Sequence, residues 1–165
     1  MNAGSFATGT DEEVLDLIVS ELDRLPARDD PGFVPELRKL PVGLRAMAAT
    51  YDLDVSLSLD DLGWHFGNWH DVELAEETAA GLEELGANEL AAIFREALGH
   101  ARRFWDYLGA EQWADWYPGS RLEEAVTPLN AKAWALHEAL GNGILSYWVQ
   151  YARSNPGKLG VTHDD

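Results

Sequence analysis

Cysteine is absent from this 165-residue chain, which excludes disulfides, thiolate metal sites and thiol nucleophiles together. Folding must rest on packing. Basic residues are scarce: 12 Lys and Arg stand against 29 Asp and Glu, a formal net charge of −17. Direct binding to nucleic-acid phosphate or to an anionic leaflet is disfavoured, because the one local basic cluster, His100 with Arg102 and Arg103, is too small to reverse that field. No window approaches roughly 18 consecutive apolar residues, and the opening MNAGSFATGTDEE has neither the basic nor the apolar stretch of a signal peptide. A cytoplasmic location is the resulting expectation. Also missing are G-x-S-x-G, G-x-x-x-x-G-K-[ST], H-E-x-x-H and a Gly-rich turn after a strand. No catalytic residue, cofactor or metal is therefore assigned.

The sharpest local absence is of positive charge. Between Arg45 and Arg95 there is no Lys or Arg across 49 residues, yet the interval holds Asp52, Asp54, Asp60, Asp61, Asp71, Glu73, Glu76, Glu77, Glu83, Glu84 and Glu89. Mutual repulsion of uncompensated carboxylates lowers stability, so such a block serves solubility or offers an anionic surface to something cationic.

What is present argues for a folded globule. The chain is 46% hydrophobic with seven Trp, five Tyr and five Phe, whereas disordered acidic chains are poor in aromatics. A chain of this length makes one domain and buries roughly two-thirds of the surface its unfolded form exposes. Helical periodicity dominates. Residues 1–9 read as a flexible leader; Thr10 and Glu13 form a capping box opening a helix that Pro26 stops. Residues 27–35 read as a loop, and a helix follows over 41–53. Val55, Leu57 and Leu59 alternate like a strand, but no other segment supplies a partner, so 54–68 is read as helix, interrupted near Gly63 and Gly67. Further helices are expected over 71–85 with Gly86 as cap, 88–108, 111–116, 121–126, 128–140 and 144–153, leaving 158–165 as a flexible tail. The prediction is an all-α domain over 10–157 with about seven or eight helices.

Three constellations carry chemistry. On the helix over 71–85 the glutamates from Glu73 to Glu84 span about 16 Å at ~1.5 Å per residue, a charge spacing close to the ~3.4 Å between phosphates of one DNA strand. A solvated acidic face is the plainer alternative. His65, His70 and Asp71 offer imidazole and carboxylate ligands, although the i, i+5 separation of the histidines needs an intervening turn to converge. Trp105, Tyr107, Trp113, Trp116, Tyr117, Trp134, Tyr147, Trp148 and Tyr151 are enough large rings for a core, a ligand pocket or a protein contact.

The run DLGWHFGNWHDVELAEETAAGLEELGANELAAIFREAL over 61–98 resembles the core of a bacterial family of small acidic all-helical proteins, one branch of which is described as DNA mimics. Trp64, Phe66, Asn68, Ala75, Leu82, Gly86, Ala87 and Ala97 stand at matching places, and YWVQYARSNP over 147–156 looks like the family's closing helix. The chain departs at the family's usual Asn-Gly-Gly, here Leu59-Asp60-Asp61. The resemblance implies an all-α fold, a homodimer, and carboxylates that occupy the DNA site of a transcription factor. The leading expectation is thus a non-enzymatic protein that binds a basic, DNA-binding partner through Asp60, Asp61, Asp71, Glu73, Glu76, Glu77, Glu83 and Glu84. The alternatives are a metal- or small-molecule-dependent activity at His65, His70 and Asp71, or an accessory domain with no mimic role.

Overall fold

A computed structural model describes residues 3–160. The helices are α1 (Ala3–Thr8), α2 (Asp11–Leu22), α3 (Phe33–Leu37), α4 (Val42–Leu59), α5 (Leu62–Asn68), α6 (Val72–Glu84), α7 (Asn88–Ala101), α8 (Trp105–Leu108), α9 (Trp113–Trp116), α10 (Arg121–Ala139) and α11 (Leu145–Ser154). No strand occurs among the described residues, so the fold is all-α as expected. The helices outnumber the expected seven or eight because short ones, such as α1, α3 and α8, give too few turns for a periodic pattern.

Helix α4 is the centre. Its buried set runs almost all the way round, from Gly43 and Leu44 through Met47 and Thr50 to Leu53 and Leu57, as a helix enclosed by others requires. It packs most extensively on α6 and also meets α5, α10 and α11. The close approach has a named cause: a Cβ at Gly81 would lie 2.9 Å from the Ala46 carbonyl oxygen, so only glycine lets α6 settle there. Thr78 on α6 seals the contact by donating its hydroxyl to the Ala49 carbonyl at 2.7 Å. Along one edge α4 leaves Tyr51, Val55 and Leu59 exposed at i, i+4, i+8 spacing.

Several expectations are corrected. The helix over 41–53 runs on to Leu59, and Gly63 and Gly67 do not break the chain but lie inside α5. Their missing side chains make room for rings: a Cβ at Gly63 would meet Tyr117, and one at Gly67 would meet Trp113. The helices expected over 121–126 and 128–140 are one, α10, with Pro128 inside it. The helix expected over 88–108 ends as α7 at Ala101, and a 3₁₀ turn at Arg102–Phe104 leads into α8. The leader contains α1, whose Phe6 is fully buried, and Phe33–Leu37 of α3 begins inside the expected loop. In the tail, Leu159 is buried, while 161–165 lie outside the described residues.

Candidate partner-binding surface

Local sequence places the eight carboxylates at or near helix starts and along α6. Asp61 caps α5, accepting from the Trp64 amide at 2.9 Å, and also accepts the Tyr117 hydroxyl at 3.0 Å. Asp71 caps α6, accepting from the Glu73 and Leu74 amides at 2.8 and 3.1 Å. Both are thus occupied in satisfying helix N-termini. The carboxylate of Asp60 has no ion pair and no hydrogen bond among the described residues.

The glutamates of α6 all meet cations that come from outside the base-free block. Glu77, nearly buried, is gripped by Arg45 Nη2 at 2.6 Å and Arg38 Nε at 2.8 Å. Arg38 also reaches Glu73 at 2.7 Å, and Arg95 pairs with Glu83 at 2.8 Å. Arg102 binds Glu76, and Lys158 binds Glu84 at 2.7 Å. The Arg95 contact holds the Glu83 carboxyl below the usual range, as Lys158 and then the Tyr151 hydroxyl do for Glu84. Six carboxylates, Asp71 included, stand among five cationic side chains, leaving one surplus negative charge. This face, unbroken in sequence, is compensated in space.

The charge without local cations lies elsewhere. On α2 and its C-terminal cap, Glu12, Asp16 and Asp23 are exposed and make no ion pair among the described residues, whereas Asp11 is paired with Arg153 at 2.7 Å and Glu13 closes the capping box on Thr10. At the corner made by α8 and α9, Asp106, Glu111 and Asp115 are likewise exposed and unpaired. Sequence reading missed both groups because the longer base-free block over 46–94 overshadowed them, although residues 1–23 and 104–120 also carry Asp and Glu with no Lys or Arg. Those shorter base-free runs were the available signal; which of their acids stay unpaired was not written in the sequence.

The histidine constellation does not converge. His65 is buried between Phe66 and Phe94, with Nδ1 2.9 Å from the Ser56 hydroxyl, while His70 stacks on Trp105 at 4.5 Å and meets the Trp105 carbonyl through Nε2 at 2.8 Å. Asp71 is spent on its cap. Among the described residues no group of three or more His, Asp or Glu is placed to hold a metal ion. The core role of His65 has a pH consequence. Burial pushes its pKa from 6.5 down to about 4, against a smaller opposing bond to the Asp52 backbone. The unfolded chain therefore binds a proton that the folded one refuses between those values, and stability falls as pH drops from 6.5 towards 4, by an amount on the order of 3 kcal/mol. Replacement His65→Gln is expected to flatten that slope in urea titrations at graded pH; an unchanged slope would assign the acid sensitivity to other groups.

The family model for DMP19-like protein matches residues 38–155. The chain belongs to the DMP19-like family. That match spans α4 to α11, so it contains the compensated α6 face and the α8–α9 corner, while α1, α2 and α3 precede it. The family is named for a DNA mimic protein. No curated protein and no solved structure matches the chain. Among the described residues no helix is long and apolar enough to cross a membrane.

Proposed function

We propose that this protein docks on a basic, DNA-binding protein by presenting carboxylates where that partner takes phosphates. The observation that carries the reading is the clustering of unpaired charge: among the described residues, exposed carboxylates without an ion pair are scattered at positions such as Asp29, Asp60, Glu89, Glu96, Glu124 and Glu138, but gather along α2 and at the α8–α9 corner. Membership of the DMP19-like family supports the same partner class. The α6 glutamates contribute less. Exposed ion pairs are worth only ~0–1 kcal/mol and can exchange partners, but Arg38, Arg95 and Arg102 stay beside Glu73, Glu76 and Glu83 and repel an incoming cationic surface.

Two sets of neutral substitutions with equal change of net charge test this. A DNA-binding protein captured from lysate at low salt, and released by a salt gradient, is the partner to be assayed. The triple Glu12→Gln, Asp16→Asn, Asp23→Asn combined with Asp115→Asn is expected to weaken its binding at least about tenfold, or ~1.4 kcal/mol. The control Glu73→Gln, Glu76→Gln, Glu83→Gln, Glu84→Gln should weaken it clearly less. Equal losses would make the effect one of net charge alone, and capture of no DNA-binding protein would refute the docking function.

A further inference from the structure

The α8–α9 corner holds more than unpaired charge. Tyr107, 57% exposed, lies almost parallel to Trp116, with ring centroids 5.1 Å apart and planes inclined by 16°. Phe104 backs Trp116 at 5.8 Å. Trp113 is fixed from behind, edge-on to Trp64 at 4.8 Å and seated where Gly67 has no side chain. Together with Ala110, Gln112 and Asp115, the rings of Tyr107, Trp113 and Trp116 line a groove of about 340 Å³. That is at the small end of ligand pockets, which run from ~300 to ~1,000 Å³, and suits one side chain rather than a larger molecule.

Large rings held open to solvent beside a carboxylate are an arrangement with a specific complement. The face of an indole or phenol carries negative potential and attracts a cation, and a planar guanidinium stacks there while its N–H groups stay free to bond a carboxylate. Asp115, in the groove, is exposed and has no ion pair; Asp106 and Glu111, on the adjoining turns, add the same sign. Arg103 and Arg121, the nearest bases in sequence on either side, are not among the groove's lining residues and pair with none of the three. We propose that this groove is a receptor for a cationic side chain of a partner protein, an arginine in preference to a lysine, with the guanidinium on the face of Tyr107 turned away from Trp116 and Asp115 as its counter-ion. The inference rests on the proposed docking function for the source of that arginine. The capture of the cation itself is read from the groove alone.

The test therefore uses no partner. Nα-acetyl-argininamide is titrated into the full chain while the indole N–H signals of Trp113 and Trp116 are followed by NMR, with the neutral isostere Nα-acetyl-citrullinamide as control. Saturable shifts of these two signals in the millimolar range are expected with the arginine compound and not with the citrulline compound. Tyr107→Ala should weaken the response about fivefold, the fold-change that corresponds to ~1 kcal/mol for a cation over a ring. Asp115→Asn, at an exposed position that the fold does not need, should weaken it to a similar extent. Equal shifts with the citrulline compound, matching shifts of the signal from Trp148, fully buried and bonded to the Thr50 hydroxyl, or full binding by both variants would overturn the proposal. A groove that binds the arginine compound in a protein that captures no DNA-binding partner would refute the docking function and leave the receptor standing.

Discussion

Gly63→Ala is expected to destabilise the protein by about 3 kcal/mol, although alanine is the better helix former by ~1 kcal/mol. The methyl group would sit 2.1 Å from the Tyr117 hydroxyl oxygen and 2.2 Å from its Cζ, distances no packed atom tolerates. Tyr117 has nowhere to go: it is fully buried and its hydroxyl is bonded to both oxygens of Asp61, the residue that caps α5. Displacing the ring therefore loosens the cap as well as the packing. The fold supplies its own control. Gly99 lies inside α7 with nothing within 4 Å of the position a Cβ would take, so Gly99→Ala should stabilise by about 0.5–1 kcal/mol. Urea denaturation of the two variants reads both signs at once. A Gly63→Ala protein as stable as the parent would mean that Tyr117 does not seat on α5.

The second large effect concerns the buried ion pair of Asp52. Asp52 is only 5% exposed, its Oδ2 makes no hydrogen bond, and its counter-ion is Arg28, with Nε 3.3 Å away. Arg28 is itself held by donation to the Ala48 carbonyl at 2.8 Å and by the Phe33 ring, whose centroid lies 4.4 Å from its guanidinium carbon. Arg28→Met leaves a buried carboxylate uncompensated and is expected to lose about 3 kcal/mol near neutral pH. Adding Asp52→Leu should recover most of the loss, because an apolar pair of similar volume avoids the desolvation of both charges.

The pH dependence separates this cause from lost packing. Burial raises the Asp52 pKa despite the opposing pull of Arg28, so the folded state takes up a proton more readily than the unfolded chain. Asp52 thus lowers stability above its folded pKa, and the deficit is relieved as pH falls through that value. Without Arg28 the pKa rises further and relief begins at higher pH. The gap in unfolding free energy between Arg28→Met and the parent should accordingly narrow on mild acidification. A gap independent of pH would point to lost contacts with Phe33 alone.

Helix ends were legible because their chemistry is local. Thr10 and Glu13 do form the capping box, Ser120 does accept from the Glu123 amide, and Gly86 takes φ = 81° after α6, a conformation open to glycine. The α4–α5 region was harder, since Gly63 and Gly67 look like breaks until Tyr117 and Trp113, some fifty residues on, are seen to occupy the space they leave. Pro128 looked like a helix start for the same reason of short range. Its lack of an amide is a local fact, while the burial of Leu122, Val126, Leu129 and Ala133 along one face that keeps α10 continuous is not.

The candidate surface divides in the same way. Net charge, the all-α class and the family resemblance are properties of composition and local pattern, and they survive any arrangement of the helices. Whether a carboxylate is free is not such a property, because Coulomb attraction acts through space and the cations that meet α6, Arg38, Arg45, Arg95, Arg102 and Lys158, all lie outside the acidic run. Only the tertiary packing decided that the α6 glutamates are compensated, while acids on α2 and beside the rings of α8 and α9 are among those left without an ion pair.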